Sequence, residues 1–154
     1  MYCALDVSRY VIDYSYKKGK GVSNLKLQKL LYFIQAEFLI ETGKRCFSDE
    51  IYAWDFGPVV PTVYREYVMY GACHINCGWT KESKEKTERS CRIIKDKDKE
   101  IINKVIDRFA DYSAAQLVSL TLKERPWKEA YIPHLQKIIP SESIKEYFSG
   151  GKTG

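Results

Sequence analysis

The sequence predicts a mainly α-helical protein: a single compact helical domain of about six to seven helices with a small β-hairpin or short-strand element. Three observations lead to this prediction. The length of 154 residues suits one domain that can bury its own core. Apolar residues recur at helical spacing over several segments. An aromatic run that ends at Gly57-Pro58 is too short for a stable helix and favours an extended segment.

An amphipathic first helix is predicted near the N-terminus. Its apolar stripe repeats at positions i, i+3, i+4 and i+7 and consists of Val7, Tyr10, Val11 and Tyr14. Asp6 is the predicted N-cap of this helix. The glycine-containing run 17–21 ends it, because glycine supplies the backbone freedom that a turn needs.

The second helix is predicted to be the central one. Ser23 is a good N-cap and Gly43 is suited to end the helix. The apolar residues on one side are Leu27, Leu30, Leu31, Ile34 and Phe38, and others fill much of the remaining circumference. A helix that is apolar nearly all round is buried on several sides, so we expect the other elements to pack around it.

Residues 51–56 are predicted as a short strand or extended segment. Pro61 then opens a third helix, at a position where its missing N–H costs nothing, and Gly71 closes it. Residues 72–92 show no helical periodicity, and we predict an irregular or hairpin-like excursion there, with a strand at 90–94.

Helices are also predicted in the second half of the chain. Asp96 or Asp98 caps one whose apolar face is Ile101, Ile102, Val105, Ile106 and Phe109. The run 113–116 is a capping box for another, which must stop before Pro126, since proline disfavours helical geometry in the preceding residue. Ser141 is the predicted cap of the last helix, and 150–154 is a predicted flexible tail.

The charge pattern disfavours nucleic-acid binding. The net charge is +5, but the signs alternate in 81–86 and in 95–100. Alternation cancels the field beyond a Debye length of about 8–10 Å, whereas nucleic-acid binders usually carry a stripe of one sign. A nucleic-acid-binding regulator nevertheless remains the alternative, because several short helices with a hairpin suit a winged or helix-turn-helix module.

The five cysteines and the lack of a secretory leader pattern predict reduced thiols in a cytoplasmic protein. No apolar run reaches the roughly 18 residues that span a bilayer, so we expect no membrane association. Cys73-His74 and Cys77 could place three zinc ligands in one loop, but Cys91 or His134 would have to supply the fourth across the fold. No metal site and no cofactor are predicted, and the role of the three loop residues stays open.

The catalytic interpretation is weak. His74 adjoins Cys73 in sequence, which rarely lets a base face its nucleophile. The chain also has no glycine-rich phosphate loop and no Gly-x-Ser-x-Gly motif. We therefore expect that the protein is not an enzyme and has no catalytic residues.

Three motifs in a fixed order resemble the Panacea domain of the SocA-like antitoxin family, which includes phage-associated GepA-type proteins. They are Lys-Leu-x-Lys-Leu-Leu-Tyr at 26–32, Ala-Trp-x-x-Gly-Pro-Val at 53–59 and Pro-Trp at 126–127. The resemblance extends over nearly the whole chain, so residues 1–149 are expected to form the domain. The family often has a histidine shortly before the Pro-Trp segment, where this chain has Leu122, so no role of that imidazole carries over.

The resemblance implies an antitoxin of a bacterial or prophage toxin–antitoxin system that binds and neutralises a cognate protein toxin encoded beside it. Neutralisation would proceed by direct blocking or by delivery of the toxin to a protease as a proteolytic adaptor. A phage protein that inhibits a host defence protein would use the same protein binding and remains an alternative. The motifs do not indicate the oligomeric state.

The predicted partner-binding surface consists of Tyr52, Trp54, Asp55, Phe56, Arg65 and Trp127. Trp54 and Trp127 are large side chains suited to the centre of an interface, but they suit a protein core equally well. For Trp54 and for the motif leucines, which are Leu27, Leu30 and Leu31, a buried structural role is the favoured interpretation.

Overall fold

The structure is a computed structural model that describes residues 1–76, 78 and 80–151. The described chain contains eight α-helices and a small sheet, so the prediction of a mainly α-helical domain is confirmed. The helices are α1 (Ala4–Lys17), α2 (Asn24–Thr42), α3 (Pro61–Tyr67), α4 (Lys81–Ile93), α5 (Asp96–Arg108), α6 (Ala114–Leu122), α7 (Arg125–Ala130) and α8 (Ser141–Glu146). The strands are β1 (Tyr52–Trp54), β2 (Gly57–Val59) and β3 (Lys137–Ile138). A 3-10 turn (Val68–Tyr70) follows α3, and a π-helical turn (Tyr147–Gly151) follows α8.

The central position predicted for α2 is confirmed. Ser23 Oγ accepts a hydrogen bond from the Lys26 N–H at 3.3 Å, and Gly43, with φ of 74°, ends the helix. α1, α5, α6, α8 and the hairpin of β1 and β2 all lie around it. The core that they enclose includes Val7, Leu27, Leu31, Ile34, Phe47, Val63, Ile102, Val105, Leu117 and Ile144.

Buried polar side chains of α2 fasten residues 46–60 to the helix. Gln35 Oε1 accepts hydrogen bonds from the backbone N–H groups of Cys46 at 2.7 Å and Phe47 at 3.2 Å, and Gln35 Nε2 donates to the Phe47 carbonyl at 3.0 Å. Gln28 Oε1 accepts from the Val60 N–H at 2.9 Å. Buried backbone groups need partners, and in this segment side chains of a neighbouring helix supply them.

The sheet is antiparallel with the strand order β2-β1-β3. Tyr52 lies opposite Val59 on one side and Ile138 on the other. Because successive residues of a strand face opposite sides, Ala53 packs into the core while Tyr52 and Trp54 lie on the outer face. The predicted short strand at 51–56 is therefore confirmed, and its outer face is available for contacts.

The prediction for residues 72–92 is wrong over α4, which is a regular helix and not a hairpin with a strand at 90–94. Thr80 and Ser83 form a capping box at its start. Its buried positions are Thr87 and Ser90, and the Ser90 hydroxyl donates to Asp6 Oδ1 at 2.6 Å. Small polar residues on the inner face conceal the apolar repeat by which an amphipathic helix is recognised.

The predicted N-caps at acidic residues are wrong by a few positions. Asp6 lies in the first turn of α1, whose N-cap is Cys3. Asp96 and Asp98 likewise lie in the first turn of α5, whose N-cap is Lys95. A carboxylate in the first turn interacts favourably with the positive end of the helix dipole without capping it, so the same residue types fit both positions.

The C-terminal predictions differ in outcome. The Ser113–Gln116 capping box is confirmed, with both hydrogen bonds formed. Ser141 is the first residue of α8 and not its cap, which is Pro140. Gly150 still belongs to the π-helical turn, and residues 152–154 lie outside the described residues, so the flexible tail stays a prediction. No helix of the described chain is both long enough and apolar enough to cross a membrane.

We predict that Gln35→Leu lowers the free energy of unfolding by at least about 2 kcal/mol. The substitution leaves two buried N–H groups and one carbonyl without partners, and each unsatisfied buried group costs about 1–3 kcal/mol. Urea unfolding followed by circular dichroism measures the change. Gln136→Leu, at an exposed position, is the matched control and should stay within about 0.5 kcal/mol of wild type. Equal effects of the two substitutions would contradict the role given to Gln35.

Candidate functional site

A groove of about 590 Å³ opens between the β1–β2 hairpin, the start of α2, α3 and the loop before β3. Ala53 and Val59 are buried along it, and the rings of Trp54 and Tyr64 meet edge to face with centroids 5.3 Å apart. Its rim is apolar and exposed. The rim residues Phe56, Val68 and Leu135 keep 68%, 47% and 49% of their surface accessible. We call this feature the Trp54 groove.

The hairpin end that carries Trp54 is held by α7 and the residue that follows it. The Trp127 indole Nε1 donates to the Trp54 carbonyl at 2.8 Å. The Trp127 ring stacks on Tyr131 with centroids 4.5 Å apart, and the Tyr131 hydroxyl donates to Asp55 Oδ1 at 2.5 Å. The hydrogen bond to this carboxylate raises the pKa of Tyr131. These contacts join the Pro-Trp motif to the Ala-Trp motif and fix the outer end of the hairpin.

The structure places five of the six predicted site residues in the lining of two adjacent clefts. Trp54, Asp55 and Phe56 line the Trp54 groove. Tyr52 and Arg65 line a neighbouring cleft of about 390 Å³, which shares Trp54 and Gln136 with the groove. Trp127 lines neither cleft. Its indole instead donates a hydrogen bond to the carbonyl of Trp54. That these residues bind a partner stays a prediction.

The favoured structural interpretation of the apolar motif residues holds for three of the four. Leu27, Leu30 and Leu31 are buried in the core. Trp54 is only partly buried, because its outward-facing position on β1 puts it between two clefts. Trp54 thus combines a structural contact with an accessible surface.

Sequence reasoning missed the loop that forms one wall of the groove. Tyr131, His134 and Leu135 line it, although no predicted element included this loop. His134 has a positive φ of 68°, a conformation that non-glycine residues adopt uncommonly. The available signal was weak: apolar residues on both sides of Pro133, with no helical or strand spacing.

A buried lysine of α2 donates a hydrogen bond to the β1–β2 hairpin. Lys29 lies on α2 with no accessible surface, and its Nζ donates to the Pro58 carbonyl at 3.1 Å. Burial lowers the pKa of Lys29 to about 7. The ammonium form is disfavoured because the surroundings solvate charge poorly.

Gly57 permits the close approach of the hairpin to this lysine. Its φ is 107°, and a Cβ there would lie 2.8 Å from Thr121 Oγ1 and 2.9 Å from Lys29 Cε. Nearby, the Tyr32 hydroxyl donates to Glu124 Oε1 at 3.0 Å in a buried position, and burial raises the pKa of Tyr32. The polar residues of the motifs are therefore part of the interior.

Three of the thiols have the character of unreactive cysteines. Burial raises the pKa of Cys3, Cys46 and Cys91, which keeps these groups in the thiol form at neutral pH. Cys73 and His74 are exposed, and Cys77 lies outside the described residues. Within the described part of the chain, no group of three or more Cys, His, Asp or Glu side chains could hold a metal ion. The role of the Cys73 loop stays open.

Comparison with known families places the chain in one of them. A family profile described as "Antitoxin SocA-like, Panacea domain" matches residues 27–128, well over half of the chain. The chain therefore belongs to the SocA-like antitoxin family with the Panacea domain, and the predicted resemblance is confirmed. That the domain extends over residues 1–149 stays a prediction.

One curated relative is Antitoxin SocA from Caulobacter vibrioides (strain NA1000 / CB15N). The two sequences are 39% identical over 69 residues, which cover 45% of this chain and 37% of that protein. The match thus spans little more than a third of the length of the relative. No solved structure matches this chain.

We predict that Gly57→Ala destabilises the protein by at least about 1 kcal/mol more than Gly19→Ala. Both glycines have positive φ, but a Cβ at Gly19 would meet no atom within 4 Å, so that variant reports backbone strain alone. Gly57→Ala adds the contacts with Lys29 and Thr121. Thermal and urea unfolding measure both variants. Similar losses would show that the hairpin can move away from α2 without cost.

We predict that Lys29 makes the stability of the protein rise with pH between about 7.5 and 8.5 and that Lys29→Met removes this contribution to the slope. The pKa of Lys29 is about 7 in the folded protein and near its ordinary value of 10.5 in the unfolded chain. In this window the unfolded chain holds a proton that the folded chain lacks. The free energy of unfolding therefore gains up to about 1.4 kcal/mol per pH unit as pH rises.

Urea unfolding at several pH values measures the two slopes. Lys29→Met also removes the hydrogen bond to Pro58, which shifts all values together but leaves the slope to report the titration. Parallel pH profiles for wild type and variant would mean that Lys29 stays charged in the fold.

Proposed function

We propose that this chain is an antitoxin that binds and neutralises a protein toxin encoded beside it. Membership of the SocA-like antitoxin family supports an antitoxin role, and one curated relative carries the name Antitoxin SocA. The observation that carries the proposal is the pair of adjacent clefts around Trp54, where aromatic and aliphatic side chains remain exposed. Such a patch is characteristic of surfaces that bind other proteins.

The chemistry of this surface suits protein binding. Trp, Tyr and Arg dominate the energetics of protein interfaces, and the two clefts present Trp54, Tyr52 and Arg65. The support from Trp127 and Lys29 keeps the surface in one shape, which reduces the entropy lost on binding. A toxin bound here would be neutralised because the antitoxin covers part of its surface. One copy of the antitoxin would bind each toxin molecule.

Direct blocking is the simpler form of the proposal. Delivery of the toxin to a protease would need a second contact surface on the same chain, in addition to the Trp54 groove. The lifetime of the toxin in cells that make the antitoxin separates the two forms. Blocking leaves that lifetime unchanged, whereas delivery shortens it.

We predict that the tagged chain co-purifies with the product of the neighbouring gene and that Arg65→Glu weakens this complex at least tenfold. Arg65 is exposed and has no ion pair among the described residues, so its replacement leaves no buried partner unsatisfied. The fold should therefore survive while the charge at the interface reverses. Isothermal titration measures the affinity, and circular dichroism checks the fold.

Arg92→Glu is the matched control, because Arg92 is also exposed and lies on α4, away from both clefts. This control should bind as wild type does. If the complex forms equally well with Arg65→Glu, the interface lies elsewhere on the protein. Absence of any complex, together with a salt-dependent shift of operator DNA, would favour the nucleic-acid-binding alternative.

A further inference from the structure

The lining of the Trp54 groove has a simple charge pattern. Among its described residues Asp55 is the one carboxylate, and there is no lysine or arginine. The Asp55 side chain is exposed, is oriented by the Tyr131 hydroxyl and has no ion pair in the described part of the chain. An exposed carboxylate beside an apolar surface attracts a cation and repels phosphate or carboxylate groups.

From this pattern we infer that the Trp54 groove takes a short segment of the partner in which a bulky apolar side chain stands close to a lysine or arginine. The inference rests on the proposed function and deepens it, because it names the chemistry of the toxin segment. The apolar side chain packs against Trp54 and Leu135, and the cation pairs with Asp55.

The exposed rim requires an apolar occupant. Phe56, Val68 and Leu135 surround the groove, and covering them removes apolar surface from water. The volume of about 590 Å³ lies within the range of roughly 300–1,000 Å³ that is usual for ligand sites. The occupant is therefore a segment with side chains of substantial size.

A buried donor favours a polypeptide over a purely apolar ligand. The indole Nε1 of Trp54 is buried and has no hydrogen-bond partner in the described structure. A buried N–H without an acceptor is unfavourable, and native proteins leave few of them. A polypeptide brings a carbonyl oxygen with every residue, so a segment in the groove offers acceptors beside this indole that a purely apolar ligand lacks.

Selection of peptides on the whole chain tests the inference without knowledge of the toxin. A phage-displayed library of random dodecapeptides is panned on the wild-type protein, with counter-selection on Leu135→Glu. We expect the enriched peptides to share an aromatic or aliphatic residue within three positions of a lysine or arginine. A fluorescein-labelled copy should bind saturably and at least tenfold more weakly to Leu135→Glu, as measured by anisotropy.

Charge exchange tests the pairing with Asp55. The selected peptide and a copy with glutamate in place of its cation are titrated against wild type and against Asp55→Lys. Wild type should prefer the cationic peptide at least fivefold, and Asp55→Lys should prefer the acidic one. Ile40→Glu is the matched control, at an exposed apolar position near the other end of α2, roughly 24 Å along the helix from Asn24. Ile40→Glu matches Leu135→Glu in the residue that it introduces, and it should bind the peptide as wild type does.

Several results would overturn the inference. They are the absence of any enriched peptide, peptides that bind Leu135→Glu equally well, and a preference for acidic peptides by the wild type. A dimer in light scattering that Leu135→Glu converts to a monomer would assign the groove to a second copy of the chain instead. A toxin complex that Leu135→Glu leaves intact refutes the groove inference alone. If wild type forms no toxin complex, it is the proposed function that fails.

Discussion

The position of the β1–β2 hairpin depends on polar side chains that α2 buries beneath it. Gln28, Lys29 and Gln35 bond to backbone groups of residues 46–60, which short strands cannot satisfy among themselves. Each bond removes a buried unpaired group and also fixes a distance between helix and hairpin. Gly57 makes the close approach of the hairpin to Lys29 possible, since a side chain there would collide with Lys29 and Thr121. The groove exists because the hairpin is held in this place.

The residues that build this support are distinct from those that form the surface. Lys29, Tyr32 and Glu124 are buried, whereas Phe56 and Leu135 are exposed. A substitution on the rim therefore alters the exposed surface without removing a contact of the interior. Under the proposed function, this separation would let the binding surface vary over a constant framework. Trp54 joins the two sets, with its carbonyl bonded to Trp127 and its ring between the clefts.

The Trp54 groove has the physical features that the proposed binding function requires. The lining of the Trp54 groove is mostly apolar, and among its described residues Asp55 is the one carboxylate, which the Tyr131 hydroxyl orients. The thiols of Cys3, Cys46 and Cys91 are kept protonated by burial, and none of the three lines the groove. Apolar surface, a rigid aromatic centre and a fixed charge are the features by which one protein selects another.

The sequence by itself determined the class of fold, the central helix and the family. Local rules were sufficient there, because capping at Ser23 and Ser113 and the apolar circumference of α2 are properties of neighbouring residues. The same rules did not predict the helix α4, since its buried side consists of small polar residues. Only the tertiary structure decided the groove. Trp127 bonds to Trp54 and Tyr131 bonds to Asp55 across more than 70 positions of sequence, and no local periodicity encodes such contacts.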